Sequence, residues 1–233
     1  MPHGPPVERH GERALGDLAL VERSRARLVA SSDLYALGFA PDARDHLAAA
    51  ETAYAERLSG RVRARDRLLD REIGAAFQAT DEAMGALAPF GAVRPRLAPL
   101  SDQLIGGAAE ALVPGPARTD PGVQAEVLSR LAAGLSEAYA AGLSSALPER
   151  RARLSQQQAY GLLARSQGLA RGLAPSLGPE SGAVIDTLSD VRARAYPVGI
   201  QRPDFAAPPR EVATLTDRVR RALERRYGLA PVR

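Results

Sequence analysis

The sequence predicts an all-α fold: an elongated antiparallel bundle of about six or seven helices with one long spine helix. Three observations carry this reading. Apolar residues recur at the helical period over long blocks. No segment alternates apolar and polar residues with the period of two of a half-buried strand. Pro and Gly clusters cut the chain into blocks joined by short connections, and short connections between long helices favour antiparallel neighbours.

The first block runs from Val7 to Ala30 with a weak apolar stripe at Leu15, Leu18 and Leu28. Ser31, Ser32 and Asp33 are capping residue types and predict a short separate turn over Leu34–Gly38. Pro41 suits the first turn of the next helix, where its missing N–H has no intrahelical partner to lose. From Asp42 to Ala88 there is no Pro, and Leu47, Ala50, Tyr54, Leu58, Val62, Leu69, Ile73, Phe77, Met84 and Leu87 keep the helical period. Unbroken, this spine would be roughly 70 Å long at ~1.5 Å per residue. Gly60 and Gly74 are its expected bending points, because glycine weakens a helix interior.

Pro89 ends the spine, and Phe90–Pro99, with Pro95 and Pro99, reads as an extended connector. A helix over Ser101–Val113 follows, capped by Ser101. After the Pro/Gly loop at 114–121 come helices from Pro121 to about Ala146, from Pro148 to about Leu173, and over Glu180–Ala195. Tyr196–Pro209 reads as extended, and Arg210–Tyr227 is the last helix, with Val212, Leu215, Val219, Ala222 and Leu223 on one face. The whole reads as one helical domain over 1–233; if it divides, the loop near Gly115 separates 1–114 from 115–233.

What the chain lacks restricts its chemistry. There is no Cys, Trp, Lys or Asn, so every one of its 31 basic side chains is Arg. Zero Cys removes thiolate nucleophiles and Cys-rich metal sites. Zero Lys removes Schiff-base chemistry and the phosphate-binding lysines of P-loops and kinases. The three histidines are His3, His10 and His46, and the first two lie in a Pro/Gly-punctuated N-terminal stretch. Carboxylate chemistry survives these exclusions, but a non-enzymatic protein is the expected class.

Three constellations stand out. Asp42, Asp45 and His46 group at the start of the spine, with Asp42 and His46 sharing a face at i,i+4. They are the one candidate metal set, though acids in a first helical turn also simply complement the helix dipole. Arg218, Arg221 and Arg225 fall on one side of the last helix, a candidate anion or partner site. Residues 192–233 hold ten Arg against four acids, so the net charge of +4 is carried by the C-terminal segment. Gly161, Gly168 and Gly172 lie on one face of one helix and predict a helix-packing or partner seam.

The function expected first is a non-enzymatic, oligomeric helical interaction, scaffold or assembly protein, its partners being another protein or a second copy of itself. The second reading is a small-ligand or metal-binding bundle, in which a metal is the only cofactor suggested. The third is anion binding through the Arg-rich last helix; nucleic acid is not favoured, because Lys, Asn and interleaved aromatics are missing. No apolar run approaches the ~18 residues of a membrane span. Met1–Gly11 has no apolar signal core, so the default expectation is a soluble cytoplasmic protein, or an extracytoplasmic one if a signal sequence precedes the chain.

Overall fold

A computed structural model describes residues 8–201 and 206–229. Among them are nine helical rods and no strand, so the all-α expectation holds. The first rod is α1 (Glu8–Ala36). The second is α2 (Ala40–Tyr54), which continues through a π turn, Ala55–Ser59, into α3 (Gly60–Arg65). Next come α4 (Arg67–Gly85) and a rod made of α5 (Phe90–Pro99), the π turn Leu100–Ile105 and α6 (Gly106–Leu112). The short α7 (Gly115–Thr119) leads to α8 (Pro121–Ala141), α9 (Glu149–Leu177), α10 (Glu180–Ala195) and α11 (Pro209–Tyr227). No helix of the described residues is long and apolar enough to cross a membrane.

The expected spine is a hairpin. The helix runs on through Gly60 and Gly74 and breaks at Asp66, whose backbone is extended (φ −145°, ψ 96°). Its carboxylate accepts from the Leu69 N–H at 2.9 Å, so Asp66 caps α4. The two arms then lie antiparallel, and Arg44 near the start of one grips Asp81 near the end of the other at 2.8 and 2.9 Å. Asp70, buried at the closed end, accepts from Tyr54 (2.9 Å), Ser59 (2.7 Å) and Arg63 (2.7 Å). Burial alone would raise the Asp70 carboxyl, but these donors outweigh it and hold it below its usual range. Burial and the neighbouring carboxylate push the Tyr54 hydroxyl up.

Three other segments depart from their expected form. Helix α1 passes straight through Ser31–Asp33 instead of stopping there. Ser31 donates to the Ala43 carbonyl at 2.8 Å and ties α1 to α2, while Asp33 accepts from Tyr160 at 2.8 Å. Both are used in tertiary bonds rather than caps. The expected start at Val7 lies outside the described residues, as does His3. Phe90–Pro99 is helical despite its prolines, because Val93, Leu97, Leu100 and Ile105 are all buried on one side. The π turn that follows Pro99 widens the helix just where prolines have removed backbone donors. Ser101 lies inside that turn, so it caps nothing.

Helix α1 packs between the N-terminal hairpin and the C-terminal helices. On one side it lies antiparallel to α2, with Asp17 paired to Arg61 and Ser31 bonded to Ala43. On the other side it lies antiparallel to α9, with Glu22 accepting from Arg165 at 2.7 Å. Glu22 also pairs with Arg25 (3.0 Å), which reaches Asp102 of the second π turn (2.7 Å). The C-terminal helices add antiparallel layers: α8 on α9, α10 on α9, and α11 on α8 and α10. Arg194–Glu211 and Arg225–Glu180 pin the two ends of the α10–α11 pair. One contiguous buried cluster runs from Ala14 to Leu223.

The glycine seam separates into two kinds of position. At Gly161 a Cβ would overlap the Ala26 carbonyl oxygen and stand 2.8 Å from its carbon, so α9 meets the α1 backbone directly. Gly168 and Gly172 have nothing within 4 Å of a built Cβ and face an open groove beside Thr119, Pro121 and Gln124. Gly161→Ala should therefore destabilise the fold by about 3 kcal/mol through overpacking. Gly168→Ala and Gly172→Ala should each stabilise it by roughly 0.5–1 kcal/mol, through helix propensity alone. Urea-unfolding midpoints of the three variants check this; a similar response at all three sites would refute it.

Candidate functional site

The α1–α2 turn, the α4–α5 turn, the start of α9 and the turn after α10 converge at one end of the bundle. Tyr35 at the end of α1 donates to the Ala88 carbonyl at 2.6 Å, fastening the first two turns together. The candidate metal residues are here, and each already has a partner. Asp42 accepts from Arg153 (3.0 and 3.3 Å) and from the Gln157 amide (2.8 Å). Asp45 takes Arg150 in a forked pair at 2.7 and 3.1 Å. His46 Nε2 lies 3.1 Å from Gln157 Oε1. Among the described residues no three His, Asp or Glu side chains group as a metal site.

The arrangement has an electrostatic cause. Arg150 and Arg151 sit in the first turn of α9 and Arg153 just after it, where the helix dipole disfavours positive charge. Asp42 and Asp45 lie near the start of α2, where it favours negative charge. Two helix N-termini meet, and the acids of one neutralise the arginines of the other. The acids are thus the counter-charge for α9 docking. Nothing in their own spacing reveals this; arginines in a first helical turn are the readable sign.

Gln157 orients the buried histidine. Its amide donates to Asp42, so its oxygen faces His46 and accepts from Nε2–H. Nδ1 is then a buried acceptor with no partner among the described residues. Burial pushes the imidazole down to about 4, against the raising effect of the Gln157 bond; Arg27 lowers it further, and Asp42 and Asp45 raise it.

Around this polar centre stand exposed apolar side chains. Leu37, Phe39, Leu87 and Val198 are among the five large hydrophobics exposed on the described surface, and only Leu68 lies elsewhere. Leu87 is 73% exposed and has φ 53°, in the left-handed region. Its N–H donates to Met84 O (3.0 Å), and Ala88 N–H donates to Ala83 O (3.0 Å). This is a Schellman ending with leucine at the position glycine ordinarily fills. Two grooves open beside these side chains. One, of about 490 Å³, is lined by Pro41, Met84 and Leu87; the other, of about 700 Å³, by Leu34, Phe39, Ile200 and Gln157. Sequence reasoning missed this apolar end, because exposure is decided by tertiary packing and not by spacing.

The remaining sequence candidates lie away from this end. Arg218 and Arg221 are exposed on α11 with no partner among the described residues, and Arg225 reaches Glu180 at 3.4 Å.

His46 gives the site a pH signature. The folded state keeps it neutral down to about pH 4, whereas an unfolded chain takes up the proton near its ordinary 6.5. The unfolded state therefore binds more protons between these values, and stability falls as pH drops through that window. The loss should reach roughly 3 kcal/mol. Asp70 and Asp81, held low by their arginine partners, stay ionised through most of the window. Unfolding free energies between pH 7 and 4.5 should decline in the native chain and stay flat in His46→Gln; parallel curves would contradict this. Compared with known proteins, the chain matches no family model, no curated protein and no solved structure.

Proposed function

We propose that this chain is a non-enzymatic helical assembly protein that pairs with a second copy of itself through the apolar end. The observation that carries the reading is Leu87, an exposed leucine held in a backbone conformation that glycine would adopt without cost. Strain at an exposed apolar residue has no return inside the monomer, and burial against a partner would supply one.

Two features favour a second copy as that partner. Projecting side chains, Leu37 and Leu87, stand beside open grooves on the same surface, as a two-fold interface requires. Three ion pairs of the charged rim close within the chain, Arg44 with Asp81, Arg150 with Asp45 and Arg153 with Asp42, and leave Glu51 and Glu149 exposed at the grooves. An identical surface would meet the closed pairs without like-charge repulsion, while a strongly charged partner would find little beyond these glutamates to pair with.

Sedimentation velocity over a wide concentration range tests the proposal. The native chain should pass from monomer to dimer as concentration rises. Leu37→Glu with Leu87→Glu should remain monomeric with an unchanged circular dichroism spectrum. Leu87→Gly should weaken the dimer yet stabilise the monomer by about 1 kcal/mol, since the left-handed residue no longer carries a Cβ. A native chain that stays monomeric at near-millimolar concentration would overturn the reading.

A further inference from the structure

Helix α11 presents a second surface, of different character, that the apolar end does not involve. Its apolar residues Val212, Leu215, Val219, Ala222 and Leu223 are all buried against the bundle. Arg210, Thr214, Arg218, Arg221 and Arg225 are all exposed. At 3.6 residues per turn these five positions fall within an arc of about 80° and along roughly 22 Å of helix. The arc contains four arginines and no acid.

The acids of α11 lie outside the arc. Glu211 is held by Arg194, Asp217 accepts from Arg220 at 3.0 Å, and the half-buried Glu224 falls about 40° outside the arc at 3.6 residues per turn. Arg226 is turned away onto the Ser176 carbonyl at 2.9 and 3.0 Å. Arg210, Arg218 and Arg221 have no carboxylate partner among the described residues, and Arg225, 62% exposed, shares its charge with Glu180 at 3.4 Å.

We propose that this arginine stripe is a sequence-independent binding site for the phosphate backbone of duplex nucleic acid. The stripe lacks what each alternative partner would need from it. An interfacial membrane helix inserts its apolar face, and that of α11 is already covered by the bundle. A protein interface needs an apolar or aromatic centre, and the arc offers only Thr214. A phosphate backbone needs neither: it takes forked guanidinium donors spaced along a rod, with no base-reading side chains among them. The lack of Lys, Asn and stacking aromatics, which argues against base recognition, is no obstacle to this mode.

The test is fluorescence anisotropy of the full chain with a labelled duplex of arbitrary sequence, at low and moderate salt. Three free arginines predict a slope of log K against log salt of about −3, at ~0.9 per phosphate contacted. Arg218→Gln with Arg221→Gln should weaken binding more than tenfold at low salt and reduce the slope by about 2. These residues are exposed, so the helical circular dichroism spectrum should be unchanged. A second duplex of different sequence should bind equally well. No duplex binding at low salt, or equal binding by the double variant, would overturn the proposal. So would capture by anionic vesicles or polyglutamate without capture by duplex, which would assign the stripe to a membrane or an acidic protein.

Discussion

The contact between Gly161 of α9 and the Ala26 carbonyl of α1 fixes the spacing on which the rest of the bundle depends. A backbone-to-backbone approach of this kind leaves no room for a side chain, so the two helices can meet at only one depth and register. One turn along, Glu22 faces Arg165 at 2.7 Å; on the other side Tyr160 reaches Asp33 at 2.8 Å. Tyr160 in turn receives Arg192 at 2.9 Å, with the guanidinium 4.3 Å above its ring, which holds α10 in place. Shallower packing of α9 on α1 would lengthen the first two of these bonds together, and α10 would move with Tyr160.

The same register carries the start of α9 to the start of α2. From it follow the Asp42–Arg153 and Asp45–Arg150 pairs, and the chain of bonds from Asp42 through Gln157 to His46. Removing one partner of a buried or half-buried polar chain strands the others, so this junction has little tolerance for piecemeal change. The exposed turns that carry Leu37, Phe39 and Leu87 are mounted directly on it. A rigid polar foundation beneath apolar projections is what a docking surface needs, because side chains already held in place lose less entropy on association.

The helices themselves were legible because their cause is local. Apolar periodicity and proline punctuation place α8, α10 and α11 to within a few residues. The misread segments are those where a distant partner outweighs a local preference. Ser31 looks like a cap, but Ala43 offers its hydroxyl a better use. Pro95 and Pro99 look like breakers, but buried Val93, Leu97 and Leu100 hold the helix around them. Asp66 was hidden in a run of charge, although an aspartate just ahead of a helical turn is itself a capping signal. At the site, Asp42, Asp45 and His46 stand together near the start of α2, and what their spacing does not reveal is that Arg153, Arg150 and Gln157 are their partners. Their partners lie more than a hundred residues away, and acids at a helix start look the same whether they await a cation or an arginine.

The arginine-only composition joins the interior to the outer face of α11. A guanidinium fork can make two parallel bonds to one carboxylate, as Arg44 does with Asp81 and Arg150 with Asp45, so such pairs fix orientation as well as distance. Through residue 148 the chain has more acids than arginines, and Arg25, Arg44 and Arg61 find carboxylates on other helices. After residue 191 ten arginines meet only four acids, and the balance shifts. Two of those four, Glu211 and Asp217, are occupied by Arg194 and Arg220. With its apolar face buried, α11 has only its outer side on which to place the surplus. Charge surplus and helical geometry together therefore concentrate positive potential along one line of the surface, within which, among the described residues, only Arg225 has a carboxylate partner.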